Sequence, residues 1–527
     1  MKSTASYRTF SPRARPPGAA GVAALGVALF IAAPLAAILF SLASPFGETI
    51  AHVAATTGPA YLQGTIALVL AVGAGASVIG VATALAVALA DFPGRRFFSL
   101  ALAAPLALPA YIAAYAYGDF FGPFGAFAAA TGAIVDIRSF GGAVFVLTMT
   151  LYPYVYLAAR AAFTGRFGAY LETARLAGAS PLKAAIRVLA PAARPAIAGA
   201  GALVMMETAA DFGVADHFGV QTLSVGVFRT WNAFGDLAAA AQLSSLLVLM
   251  AIILVTLEAA SRQGRAHEGA RVARRAPRLE TQGFASVGLA ALCAAPIILG
   301  AVIPVCVLVA KMDASAGQRG LFEALQNSAL VASAGAAIVV AAAGLLAYGA
   351  RAAGGIVVPA LLRIATIGYA VPGAVIAIGV LAAGALTGSP VIATGLGALL
   401  YAYAARFMTV GVTLIAGGLA GLAPAADEAA RLLGAKGARL ALVIHAPLVA
   451  PSLAAAAIIV FVDIVKELPA TLILRSFNFE TLATRVYRLA GDERLAEAAP
   501  AALALIGLGV LPAIALGALG RERGRNR

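Results

Sequence analysis

Only 11% of this 527-residue chain is charged, and long stretches contain no Asp, Glu, Lys or Arg at all. The uncharged runs are 18–47, 61–90, 97–118, 139–159 and 237–257, then 281–310, 324–350, 364–405 and 498–520. A helix needs about 20 mostly apolar residues to cross a bilayer, and every run reaches that length. This excludes an ordinary soluble domain. Cysteine is nearly absent: Cys293 and Cys306 share one apolar run, which excludes a disulfide framework or a cysteine-based metal site. A phosphate-binding Gly-x4-Gly-Lys-[Ser/Thr] loop is missing as well. Gly434-Ala435-Lys436-Gly437 lacks both the glycine spacing and the Lys-Ser/Thr pair, so no nucleotide-hydrolysing site is encoded here.

What is present is a membrane pattern. The run 364–405 is interrupted by the turn-forming segment 384–390 and reads as two spans. Two further spans, near 195–214 and 451–470, contain acids. The expectation is an all-α polytopic membrane protein with twelve transmembrane helices, arranged as two parallel six-helix repeats. The amino-terminal apolar run is too long for a signal peptide and reads as the first span. The net charge of +14 could suggest a nucleic-acid binder, but the cations cluster at 2–15, 95–96, 160–194, 262–278, 431–439 and 521–527. Each cluster falls on one side if the chain crosses at every span, which places both termini in the cytoplasm and leaves no case for nucleic acid. The expected organisation is a basic tail (1–17), a first repeat (18–260), a cytoplasmic linker (261–283), a second repeat (284–520) and a short tail (521–527).

The repeat is visible in the residues. Gly64-Thr65-Ile66-Ala67-Leu68 is echoed by Asn327-Ser328-Ala329-Leu330, Leu108-Pro109 by Val371-Pro372, and Val227-Phe228-Arg229 by Val486-Tyr487-Arg488. Most telling, Glu172-Thr173-Ala174 is followed by Gly178 and Pro191, and Glu428-Ala429-Ala430 by Gly434 and Pro447, at identical spacings 256 positions apart. Each segment begins with good helix formers, and its glycine suits the left-handed residue that ends a helix. Ser180-Pro181 then reads as an N-cap followed by a proline at the first helical position. Two helix–turn–helix elbows on the cytoplasmic face are expected.

This pattern resembles the EAA loop of ABC importer permeases. The departures are Thr173 in the first copy and alanine in place of leucine before Pro191 and Pro447. The resemblance implies that Glu172, Ala174, Gly178, Pro191, Glu428, Ala429, Ala430, Gly434 and Pro447 couple the chain to two ATPase subunits. Those subunits would bind the ATP and magnesium; this chain would hold no cofactor and would not itself be an enzyme.

Past each elbow, a span carries acids in duplicate: Glu207 and Asp211, then Asp463 and Glu467. Four residues apart, each pair is expected on one helix face. Charge at such depth costs at least about 2.5–3.5 kcal/mol, so it faces a cavity or a partner. The four form a candidate path for a hard cation; the other reading pairs them with Lys466, Arg406 or interfacial arginines. The segments 211–231 and 466–495 resemble those of fused ferric-iron permeases, a likeness extending over most of 61–520. It implies ferric iron as cargo, a bacterial plasma (inner) membrane, and an extracytoplasmic iron-binding protein docking on 212–236 and 471–495. Arg229, Arg475 and Arg488 are candidate contacts for that protein. His217 reads as a belt residue, His52, His267 and His445 show no ligand spacing, and Arg406 is expected to reach toward the cytoplasm. Thiamine, a polyamine or another solute is an alternative cargo, and an ion-gradient-driven carrier is an alternative class.

Overall fold

The computed structural model describes residues 19–165, 178, 180, 183, 187, 190–262, 279–312, 320–352, 367–389, 395–435 and 437–525. Among these residues the structure is helical apart from a two-residue parallel ladder, β1 (Ala90–Asp91) on β2 (Leu279–Glu280). The first half contains α1 (Ala19–Ser41), α2 (Gly58–Leu89), α3 (Ala110–Phe120), α4 (Phe140–Gly165), α5 (Ala190–Ala210), α6 (Gly213–His217), α7 (Leu223–Phe234) and α8 (Leu237–Arg262). The second contains α9 (Phe284–Ile297), α10 (Ile303–Lys311), α11 (Leu321–Ala352), α12 (Gly373–Thr387), α13 (Gly395–Ala420), α14 (Pro424–Leu432), α15 (Ala450–Lys466), α16 (Pro469–Leu474), α17 (Leu482–Gly491) and α18 (Leu495–Arg525).

Among the described residues seven helices are long and apolar enough to cross a membrane, and two bent pairs raise the number to nine. The pairs are Arg95–Ala107 with α3, bent by 91°, and Gly437–Leu448 with α15, bent by 79°. The other three expected crossings fall on α5, which carries Arg194 and Glu207, and on two shorter apolar stretches, α12 and Leu495–Val510. Every expected span thus contains helix, but straight apolar helices alone do not make twelve. The separation at 384–390 is marked by Gly388, which closes α12 in the left-handed conformation at φ 64°.

Proline sets the breaks. Pro109 and Pro372 have extended ψ values of 133° and 144°, and α3 and α12 begin at the next residue. A proline without N–H cannot extend the preceding turn, so each span is cut into two limbs at the same point.

The halves are locked together by carbonyls that prolines leave free. Inside α1, Pro34 cannot donate to the carbonyl of Phe30, and the hydroxyl of Tyr401 on α13 donates to it instead. The Phe30 and Tyr401 rings stack at 4.3 Å. Between α9 and α10 a π-helical turn, Ile298–Val302, shifts the donors by one residue, so Ile303 N–H bonds to Ile298. Leu299 would then look to residue 304, which is a proline, and the hydroxyl of Tyr117 on α3 supplies the bond. The first span of each half is therefore held by a tyrosine of the other. Gly379 on α12 allows α1 to come close, since a Cβ there would stand 2.5 Å from the Pro34 carbonyl oxygen.

Replacing Tyr401 by Phe leaves the Phe30 carbonyl without a donor. The expected loss is about 1–3 kcal/mol, seen as a lower unfolding temperature of the purified chain in detergent; Tyr401→Phe unfolding at the wild-type temperature would contradict this bonding scheme.

Candidate translocation cavity and coupling elbows

Glu207, Asp211, Asp463 and Glu467 line one cavity of 240 Å³. Its wall also includes Tyr111, Tyr154, Tyr369, Arg406 and Lys466. α5 packs on α2 and α4, and α15 on α11 and α13, so each half delivers its acid-bearing helix to the joint between them.

Within each pair the two acids differ in role, and the expected shared helix face does not hold. Glu207 and Asp463 lie within α5 and α15, but Asp211 and Glu467 stand just past the helix ends. α5 begins at Ala190 and stops at Ala210, so Glu207 lies roughly 26 Å along it, farther than a start near 195 implies. Asp211 Oδ1 accepts from Val214 N (3.0 Å) and Ala215 N (3.2 Å), capping α6. Glu467 accepts from Ala470 N (3.2 Å), Thr471 N (3.1 Å) and Thr471 Oγ1 (3.0 Å), capping α16. The unpaired amides of a new helix are what draw each carboxylate out of the face it would otherwise share.

Arg406 lines the cavity, which corrects the expectation that it reaches the cytoplasm. Its Nη1 donates to the Val371 carbonyl at 3.3 Å, an acceptor left at the helix break before Pro372. Gly373 makes room: a Cβ there would collide with Glu467 Oε1 and stand 2.8 Å from Arg406 Nη1. Lys466 Nζ donates to the Leu106 carbonyl at 3.2 Å. Among the described residues neither cation forms a direct ion pair with the four carboxylates. The cavity thus combines four acids with two cations held apart by backbone carbonyls.

The arginines picked out for docking lie in one region, each with a partner. Arg229 Nη2 stands 3.6 Å from Asp216, Arg488 Nε 2.8 Å from Glu480, and Arg475 Nη1 donates to the Phe479 carbonyl at 3.2 Å. Arg475 and Arg488 border a recess of 730 Å³ with Glu323, Glu480 and the almost fully exposed Phe477. α7 and α17 are seated alike: Leu223 N–H donates to Thr65 Oγ1 and Leu482 N–H to Ser328 Oγ, both at 2.8 Å. These are the two hydroxyls of the duplicated span openings.

In the first elbow Glu172 and Ala174 lie outside the described residues. Gly178 is exposed at φ 78°, Lys183 N–H reaches Ser180 Oγ at 3.4 Å, and Pro191 is half-buried. In the second elbow α14 carries Glu428 and Ala429 exposed, and the chain turns at exposed Gly434 with φ 84°. Ala430, Ala435 and Leu440 form a small buried cluster against Ile444. Pro447 is exposed.

Asp427, one residue before Glu428, ties this elbow to the membrane helices. It meets Arg351 on α11 through two bonds of 3.1 Å and His445 Nε2 at 2.9 Å, while Arg351 also donates to the Leu419 carbonyl at 2.7 Å. Sequence reading missed this clasp because its members are 76 and 18 positions apart and the first copy has Leu171 and Leu189 in place of Asp427 and His445. The Arg351 bonds hold the Asp427 carboxyl below its ordinary range, against burial and with help from His445. The folded chain binds fewer protons there than the unfolded one. The stabilisation is therefore complete above the ordinary aspartate range and is lost as pH falls through the lowered value. Asp427→Asn should unfold at a lower temperature than wild type at neutral pH, with the gap closing in acid; a pH-independent gap would contradict an ionic clasp.

No family model matches the chain. It is 25% identical over 466 residues, 86% of its length and 89% of the relative's, to the Fe(3+)-transport system permease protein FbpB 2 of Haemophilus influenzae. It is 26% identical over 429 residues, 74% of each chain, to a protein of Sinorhizobium fredii named as an ABC transporter permease. A 2-aminoethylphosphonate transport system permease named from Salmonella choleraesuis matches 216 residues at 26% identity, 38% of this chain and 76% of the relative. All-α and polytopic, the chain is similar over most of its length to permease proteins of ABC transport systems.

Proposed function

We propose that this chain is the membrane-spanning subunit of a binding-protein-dependent ABC importer and carries ferric iron across a bacterial plasma (inner) membrane. The observation that carries this reading is the meeting of two duplicated acid pairs in one cavity at the joint of the halves. The likeness to an Fe(3+)-transport permease over 86% of the chain supports the cargo, and the carboxylates are hard donors suited to it. Glu207 and Asp463 carry charge in the path, while Asp211 and Glu467 also hold the short helices that close it on one side.

ATP is hydrolysed by two separate subunits, one at each elbow. Movement of α14 reaches α11 through Asp427 and Arg351, and α11 packs on α15, which bears Asp463. The elbow is thus linked to the cavity wall by hydrogen bonds and then by helix packing. An iron-loaded binding protein docks over α7, α17 and the recess beside Phe477.

The reconstituted complex should show ATPase activity stimulated by an iron-loaded binding protein; stimulation solely by a binding protein for an organic solute would defeat the iron assignment. Gly178 and Gly434 hold left-handed conformations in which a Cβ costs about 1–2 kcal/mol. Gly178→Val with Gly434→Val should bring stimulated ATPase activity down to the unstimulated rate. Unchanged transport would point to an ion-gradient-driven carrier.

A further inference from the structure

Tyr111 and Tyr115 stand one turn apart on α3, 6% and 4% exposed, and neither hydroxyl has a hydrogen-bond partner among the described residues. Tyr152 on α4 is also buried without such a partner, whereas Tyr403 bonds Thr471 at 2.8 Å and Tyr156 the Ser99 carbonyl at 2.9 Å. Tyr111 and Tyr115 alone among these follow one another on one helix beside the acids. An unmade bond on a buried hydroxyl costs about 1–3 kcal/mol, so two in succession on one face suggest a ligand.

Their surroundings indicate its chemistry. Tyr111 lines the cavity and feels the charge of Glu467. Tyr115, its ring 6.0 Å farther on, has Tyr487, Asp216 and Asp211 as its charged or ionisable neighbours. The His217 ring meets Tyr115 edge-on at 4.5 Å, and its Nε2 is likewise buried without a partner. Gly118 leaves space beside that nitrogen, since a Cβ there would stand 3.0 Å from it. Gly213 brings α6 against α3, as a Cβ would come within 2.5 Å of the Tyr111 Cβ. On the far side Tyr487 donates to Asp216 at 2.8 Å. Oxygen and imidazole donors therefore run from the Asp216–Tyr487 pair past Tyr115 and Tyr111 to the cavity acids.

No three His, Cys, Asp or Glu side chains gather closely enough to chelate a metal among the described residues, so carboxylates alone do not make a site. The phenols supply the missing donors. A soft metal would call for thiolate or thioether, and a hard divalent ion such as calcium or magnesium is served by carboxylates and carbonyls without deprotonating a phenol. A phenolate suits a small trivalent cation.

We propose that Tyr111 and Tyr115, supported by Asp216 and His217, form a transient ferric-ion station between the docking face and the acid cavity. The inference rests on the iron reading above. Each phenol that ligates gives up one proton, which passes to a neighbouring carboxylate or to water, and the iron stays ferric throughout.

The full-length chain in lipid nanodiscs, titrated with ferric nitrilotriacetate, should show the visible phenolate-to-iron charge-transfer band. Tyr111→Phe with Tyr115→Phe should abolish it, while Tyr348→Phe, on α11 beside the second elbow where its hydroxyl donates to the Gly437 carbonyl at 2.9 Å, should leave it intact. Absence of the band in wild type, or its persistence in the double variant, would overturn the station. ATPase stimulation by the iron-loaded binding protein, measured on the same chains reconstituted with the ATPase subunits, separates the two readings. Stimulation without a band rejects the station and keeps the cargo; a tyrosine-dependent band without stimulation keeps the station as a ferric site and rejects iron import.

Discussion

The constraint from which the architecture follows is that polar groups inside an apolar bundle must find partners within the protein. Asp211 and Glu467 answer it most visibly, each leaving its spanning helix to bond the amides of a short helix that starts at once. Had either carboxylate stayed on the helix face, α6 or α16 would begin with unpaired amides. Because both turn aside, α5 and α15 end at corresponding residues, Ala210 and Lys466, which line the cavity. Arg406 and Lys466 obey the same rule, lodging on backbone carbonyls freed by helix breaks.

The same accounting joins the halves. Pro34 and Pro304 each deprive a carbonyl of its donor, and tyrosines of the opposite half fill both vacancies. Proline, usually a local disturbance in a helix, here creates an acceptor that another helix recognises. The elbows, by contrast, are unequal. The second is fastened to α11 through Arg351 and Asp427, whereas the first copy has leucine at the positions corresponding to Asp427 and His445. The ionic anchor of the second arm is thus built from residues that the first arm's sequence does not repeat.

Much of this was legible in the sequence where the signal is periodic or local. Uncharged runs marked where the helices lie, glycine and proline in 384–390 marked the end of α12, and the 256-residue period picked out the acids that meet in one cavity. What escaped was pairing across distance. Nothing near Arg406 announces that Pro372 frees a carbonyl for it, and an i, i+4 acid pair gives no warning that its second member will cap another helix. Nothing in the sequence singles out Tyr111 and Tyr115, because an unpartnered hydroxyl is a property of the surroundings and leaves no trace in the chain itself.

The central claim is that the acid-lined cavity lies on a path opened alternately to the two sides of the membrane. Its most direct measurement is the labelling of a single cysteine placed at Ala210 in the cavity wall, in a Cys306→Ser background that keeps the buried Cys293. With membrane-impermeant thiol reagent and the ATPase partners present, the account predicts labelling from the cytoplasmic side without nucleotide and from the opposite side with ATP trapped. Labelling from the same side in both states would contradict it.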